Sequence, residues 1–335
     1  MKEVKRKVLV IAVALLAISL MPSSLVSTTQ AKIMEENHYG PLSAGFTEYY
    51  GTIGGANFFV LIPDDWTNAL GDGMLIVMCR GRGYTEDPRD YGGGSLYNAA
   101  KSYVMQGIAV AATNYGSQGQ DAKFGVIRTH QLTEFVIDNY GVTGKVFLQG
   151  TSLGGSVALV LGESHPDVYS GVLDVAGVKD LAMNYYHMLE TLDENTPPFP
   201  IGTGDPFLYA FYVGRPENME ENMGGTPDEK PQKYAKYSAT SHTDLKIPVI
   251  SVVHLNDDIV PYEQTTYYHS LVGDTWHVVV TVNKDTPNPN SYSGDYYGHL
   301  DPKLFAAIPI YFEYLVKWSN GLHVVIPPVF PPPPP

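Results

Sequence analysis

One serine in this chain has the surroundings that make a hydroxyl reactive. The stretch from Lys145 to Val160 opens on the apolar run Val146-Phe147-Leu148. It passes into Gly150-Thr151-Ser152-Leu153-Gly154-Gly155 and continues as a nearly all-apolar segment. A buried strand, a sharp turn and a buried helix in that order place the hydroxyl of Ser152 in the open, at the tip of a cramped turn. A side chain at Gly150 or Gly154 would collide with neighbouring backbone, so both positions favour glycine. The helix that begins near Leu153 directs its positive dipole end at the turn, where its first N–H groups can meet a developing oxyanion.

A serine hydroxyl attacks poorly until a base takes its proton. The base in turn needs a carboxylate to fix its tautomer and stabilise its cation. Two downstream segments offer those groups at strand ends. His254-Leu255-Asn256-Asp257-Asp258-Ile259-Val260-Pro261 follows an apolar run ending near Val253. Tyr296-Tyr297-Gly298-His299-Leu300 follows a second ending near Val282. Asp257 and Asp258 are both candidate acids, and His242, His254, His269, His277 and His299 are candidate bases. His277 alternates with apolar residues at the start of a strand, the pattern of a packed side chain, whereas His299 lies in a glycine-bearing loop.

The elements that must position these groups alternate between strand and helix. Phe46 to Pro63 reads as a hairpin around Ile53-Gly54-Gly55-Ala56. Met74 to Cys79 is a buried strand running into Arg80-Gly81-Arg82-Gly83-Tyr84. A helix capped by Ser95 and closed by Gly107 follows, then a strand over Ile108 to Ala112 and a helical stripe through Leu132, Phe135, Val136 and Tyr140. After the elbow come strands at Tyr169 to Val175, Ile247 to Val253 and Trp276 to Val282. A last helix is opened by Asp301 and Pro302 and ends before Gly321. Apolar strands alternating with helices predict an α/β fold, with a mostly parallel sheet covered on both faces and an antiparallel hairpin at one edge. Between Lys179 and Asp244 the alternation stops, apart from one helix around Leu181 to Leu192. Residues 179–244 read as an inserted cap, or as a decorative excursion. Its aromatics, Tyr185, Tyr186, Phe199, Phe207, Tyr209, Phe211 and Tyr212, can line a pocket or form the cap's own core.

Composition bounds the rest. The chain has 335 residues, 44% of them hydrophobic, and a net charge of −14, which argues against phosphate contacts with nucleic acid. Its single cysteine, Cys79, excludes an intrachain disulfide and reads as a buried small hydrophobe. Residues 1–31 carry a basic start, an uncharged apolar stretch from Val8 to Met21 and a small-residue cleavage site at Thr29-Gln30-Ala31, a signal peptide; an uncleaved anchor is the alternative. Residues 322–335, closing on five prolines, read as a polyproline tail outside the folded domain expected over 45–320.

The elbow, the Asp-x-x-Val-Pro at Asp257 to Pro261 and Gly298-His299 before the closing helix, in that order, resemble the α/β-hydrolase superfamily over roughly residues 45 to 320. The resemblance implies Ser152 as nucleophile, His299 as base and Asp257 as its orienter, with Asp258 the alternative acid. It also implies an oxyanion hole built from the backbone N–H of Leu153 and a second N–H from the loop after the third strand. Arg82 is the match there and Tyr84 the runner-up, because Arg80-Gly81-Arg82-Gly83 replaces the usual His-Gly. Arg80 and Arg82 either hold a substrate carboxylate or are surface arginines paired with Glu86, Asp87 or Asp90.

The expected function is a secreted serine hydrolase cleaving small-molecule or polymer-borne carboxylic esters. No metal or organic cofactor, no nucleic acid and no membrane contact beyond export are expected. A serine peptidase of the prolyl-oligopeptidase type shares the Gly-x-Ser-x-Gly-Gly elbow, but the propeller-sized N-terminal domain of that type is not expected here. A non-catalytic binding module on the same fold, tethered by the proline tail, is the third reading.

Overall fold

A computed structural model describes residues 31–40, 45–66, 72–83, 85–116, 122–194, 213–255, 257, 259–282, 299, 302–322 and 324–326. All of the expected signal peptide but Ala31, and the five closing prolines, therefore lie outside the described residues, as do Tyr84, Asp258, Gly298 and the cap aromatics from Phe199 to Tyr212.

The strands are β1 (Lys32–Tyr39), β2 (Phe46–Ile53), β3 (Ala56–Pro63), β4 (Leu75–Cys79), β5 (Ala109–Thr113), β6 (Val146–Thr151), β7 (Gly171–Val175), β8 (Val249–His254) and β9 (His277–Val282). They form one sheet in the order β1-β2-β3-β5-β4-β6-β7-β8-β9. From β5 onward every pairing is parallel, while β1, β2 and β3 run antiparallel at one edge. The glycine turn of the β2–β3 hairpin has φ of 56° at Gly54 and 82° at Gly55, which suits the tight turns that match strand twist.

Both faces are covered, as the apolar strands predict. Alternation splits each strand between two cores: Ile76 and Met78 of β4 face one side, and Val77 and Cys79 the other. The first core meets α1 (Ser95–Val104) and α8 (Pro302–Ser319). The second meets α2 (Ala122–Asn139), α3 (Leu153–Ser164) and α7 (Tyr262–Val272). Cys79 is buried, and desolvation pushes its thiol far up.

Three local readings change. The sheet begins at Lys32, ahead of residue 45: β1 is exposed along its length and its apolar residues, Ile33, Met34 and Tyr39, do not alternate, so apolar periodicity does not reveal it. It is held by pairing with β2 and by Arg89, which bonds Glu35 at 3.2 Å, the fully buried Glu48 at 3.0 Å and Asp87 at 2.6 Å. Ser95 does not cap α1. Gly94 takes the cap position at φ 83° without a side-chain bond, and Ser95 is the first helical residue. The segment between β7 and β8 holds the expected helix, α4 (Leu181–Glu194), and two that its weak periodicity does not suggest, α5 (Arg215–Met223) and α6 (Pro231–Lys236). Their buried residues Tyr185, Met188, Met219, Met223 and Tyr234 share one core with Leu153, Val178, Ile259 and Val260, so the segment packs onto the elbow and the loop after β8.

Candidate active site

Parallel strands bring their carboxyl ends to one edge. The chain crosses from β5 to β6 on the other side of β4, and helices on opposite faces flank that crossing, the place where open α/β sheets bind ligands. Ser152 leaves β6 there. Its φ of 57° and ψ of −124° are strained for a residue with a side chain. Three backbone bonds hold it: Ser152 N–H donates to Val175 O at 2.9 Å, and Ser152 O accepts from Gly155 N–H at 2.9 Å and from Val178 N–H at 3.2 Å. The glycines around it are dictated by close approach. A Cβ at Gly150 would lie under 3.0 Å from Gly154 O, and one at Gly154 under 3.0 Å from Cys79 O. A Cβ at Gly155 would strike the Asp174 carboxylate and Gly177.

Asp257 lies beyond β8 and is 5% exposed. Its Oδ1 accepts from the N–H groups of Ile259 at 2.9 Å and Val260 at 2.8 Å, so the two residues ahead of Pro261 lock the carboxyl group in place. Its Oδ2 lies 2.8 Å from His299 Nδ1, and the His299 ring is buried. The other histidines are engaged elsewhere. His277 starts β9 at the opposite edge, buried against Ser251 Oγ at 2.9 Å. His269 lies 3.2 Å from it and 2.9 Å from Asp274. His242 meets the Lys236 carbonyl at 3.0 Å. His254 ends β8, fully buried.

The loop after β4 borders Ser152: a Cβ at Gly81 would lie 3.5 Å from that of Ser152. Neither reading of Arg80 holds. It is 1% exposed, and it donates to the backbone carbonyls of Gly81 (3.0 Å), Gly83 and Asn114, with its guanidinium 4.5 Å from the Tyr115 ring centre. It shapes the loop from within. The arginine that pairs with Asp87 is Arg89. Arg82 instead lines a cleft with Ser152, Leu153 and Val260, its Nη1 3.4 Å from Met188 Sδ.

Sequence reasoning passed over several residues here. Asn184 and Arg215, both from the segment between β7 and β8, line the same cleft. Asp174 and Lys179 form a wholly buried pair at 2.6 Å directly beneath the elbow; Ser251 Oγ donates to Asp174 at 2.7 Å, and Lys179 Nζ donates to Gly177 O at 2.6 Å. A lone carboxylate inside the otherwise apolar strand Gly171-Val172-Leu173-Asp174-Val175 was the available signal.

The Esterase family model matches residues 90–250, a little under half of the chain. None of the curated proteins matches. Among solved structures, a puromycin hydrolase aligns with a TM-score of 0.55 at 15% identity over 91% of this chain, which spans 42% of that protein's length. Acetyl xylan esterase 1 from Thermoanaerobacterium sp. aligns with a TM-score of 0.53 at 15% identity, covering 86% of this chain and 88% of the other. The rice cell wall degrading esterase LipA from Xanthomonas oryzae gives 0.54 at 13%, covering 87% and 98%. At such identities the likeness is one of fold.

Proposed function

We propose that this chain, which has the α/β-hydrolase fold, is a serine hydrolase that cleaves carboxylic esters through an acyl-enzyme, with Ser152 as nucleophile, His299 as base and Asp257 as its orienter. One observation carries the reading: the buried His299–Asp257 contact of 2.8 Å, at the sheet edge where Ser152 is held at positive φ. An ionised Asp257 accepts the Nδ1 proton and leaves Nε2 as the basic nitrogen. Nε2 takes the Ser152 proton as Oγ attacks the ester carbonyl carbon. The N–H groups of Leu153 and Arg82 receive the oxyanion. His299 then returns the proton to the departing alcohol, and water repeats the sequence to release the acid. The cycle as written uses only these groups and water. The substrate is a small or polymer-borne ester met after export, with residues 1–31 removed.

The Esterase match spans Ser152, and two of the structural neighbours are esterases. A peptidase is the second reading. It is favoured by the elbow's second glycine, Gly155, and by the likeness to puromycin hydrolase and to a puromycin-hydrolyzing peptidase from Mycobacterium tuberculosis. A serine-directed fluorophosphonate, together with matched para-nitrophenyl ester and aminoacyl para-nitroanilide substrates, separates the readings. Labelling at Ser152, ester turnover and its loss by about three orders of magnitude in Ser152→Ala are expected. Faster anilide than ester turnover would assign a peptidase. An unlabelled, inert protein would leave a binding module.

A further inference from the structure

A second cleft, of about 490 Å³, opens at the edge of the sheet opposite Ser152. Ser152 and Asp257 follow the carboxyl ends of β6 and β8, whereas this cleft is built from residues that precede amino ends. Lys145, Ser170, Pro248 and Trp276 stand immediately before β6, β7, β8 and β9, and all four line it. Backbone bonds of the sheet fix their places: Ser170 N–H donates to Val146 O at 2.8 Å, Val172 N–H to Pro248 O at 2.9 Å and Val249 N–H to Trp276 O at 2.7 Å. The C-terminal end of α8 supplies Trp318 and Ser319.

Two of the chain's three tryptophans meet here. Their rings are 18° from parallel, with centres 6.4 Å apart. Trp318 packs on the core, whereas Trp276 keeps 37% of its surface exposed. A large flat ring on a fixed backbone in a cleft lining is a stacking surface. The polar counterpart is Lys145. Its Nζ donates to the Ser319 carbonyl and, at 3.2 Å, to Ser319 Oγ, on the residue that follows Trp318. An ammonium has three N–H donors, so one is left over, and no carboxylate pairs with it among the described residues. Partial burial lowers its pKa, as it does for a charge short of compensation. The lining also holds Lys246, whose ion pair with Asp244 at 3.0 Å is open to solvent, and no acidic residue.

We propose that this cleft binds an aromatic carboxylate, whose ring stacks on the Trp276 and Trp318 pair and whose carboxylate accepts the remaining Lys145 N–H. A planar apolar body joined to an anionic group satisfies both features of the lining at once. A neutral saccharide would stack but leave the ammonium uncompensated. The inference does not depend on the chemistry at Ser152.

The test titrates the isotope-labelled full chain with naphthoate and with uncharged naphthamide, read by the indole N–H resonances. Three tryptophans give three such resonances, and Trp276→Phe and Trp318→Phe assign two of them. Naphthoate should move the Trp276 and Trp318 resonances together, leave that of Trp66 in place, and bind about tenfold more tightly than the amide, the value of one charge-assisted contact. Trp276→Ala should weaken naphthoate binding by about tenfold without altering turnover of a para-nitrophenyl ester. Lys145→Gln should bring acid and amide to equal affinity. Unmoved Trp276 and Trp318 resonances, equal affinity of acid and amide for the wild-type protein, or undiminished binding in Trp276→Ala overturns the proposal. So does a larger response to cellohexaose than to naphthoate, which would assign the platform to neutral sugars. The wild-type titrations decide the matter even where Lys145→Gln does not fold.

Discussion

His299 Nδ1 and Asp257 Oδ2 lie 2.8 Å apart although 42 residues separate them in sequence, and neither side chain is open to solvent. Asp257 has no freedom to turn away, since its other oxygen holds two backbone N–H groups. Asp257→Asn should therefore keep the fold and the place of the ring but present an amide N–H or a weaker acceptor to Nδ1, stabilising the wrong tautomer. Ester kcat should fall by about three to four orders of magnitude, and Asp258→Asn should cost far less. Steady-state kinetics on the two variants decide it; the reverse ranking would move the role to Asp258.

The glycines of the elbow should differ sharply from glycines in open turns. At Gly154 a methyl group meets the Cys79 carbonyl, which belongs to the central strand and cannot yield. Gly141 has φ of 68° with nothing within 4 Å of an added Cβ. Gly141→Ala should cost about 1–2 kcal/mol, the local price of a left-handed residue. Gly154→Ala should cost several times as much, because backbone must move. Denaturant titration of both variants measures the difference, and equal losses would contradict the close approach.

Lys179 and Asp174 are both fully buried, so each neutralises a charge that has no water to turn to. Lys179→Met should destabilise by about 3–5 kcal/mol by leaving the Asp174 carboxylate alone against Gly155 and Gly177. Adding Asp174→Asn should restore part of that loss, giving a coupling energy in a double-mutant cycle. Additive single losses would mean that the pair does not act as one unit.

His277 links the same cluster to pH. Ser251 has one hydroxyl proton and gives it to Asp174, so His277 Nε2 must carry the proton that Ser251 Oγ accepts. Burial, and then the charges of Lys179 and His269, hold this imidazole well below its ordinary range. In the native protein it stays neutral, whereas the unfolded chain takes up a proton below about pH 6.5. Stability should thus be complete above that pH and decline as pH falls below it, by at most about 1.4 kcal/mol per pH unit. His277→Gln should flatten that part of the profile. Thermal melts of both proteins between neutral and mildly acidic pH would show parallel curves if the ring did not contribute.

What the sequence determined by itself was whatever is encoded locally. The elbow is a strand, a turn and a helix within sixteen consecutive residues, Lys145 to Val160, and the glycines that its backbone demands are written in the chain. The parallel sheet follows from apolar runs alternating with helical stripes, because burial on both faces leaves no polar side to a strand. Tertiary structure alone decided the matters that depend on distance along the chain. It separated Arg80, wrapped in carbonyls and tyrosines, from Arg82 two residues later at the cleft, a distinction that no composition or spacing carries. It brought to the cleft at Ser152 both Asn184, from the expected helix after Lys179, and Arg215, from a stretch whose periodicity was too weak to place. It joined Asp174 to Ser251 and His277 across three strands, since register is a property of paired strands and not of any one of them. It also made a strand of Lys32 to Tyr39, where the partner β2 supplies the hydrogen bonds and an exposed stretch has no alternating hydrophobic pattern to announce it.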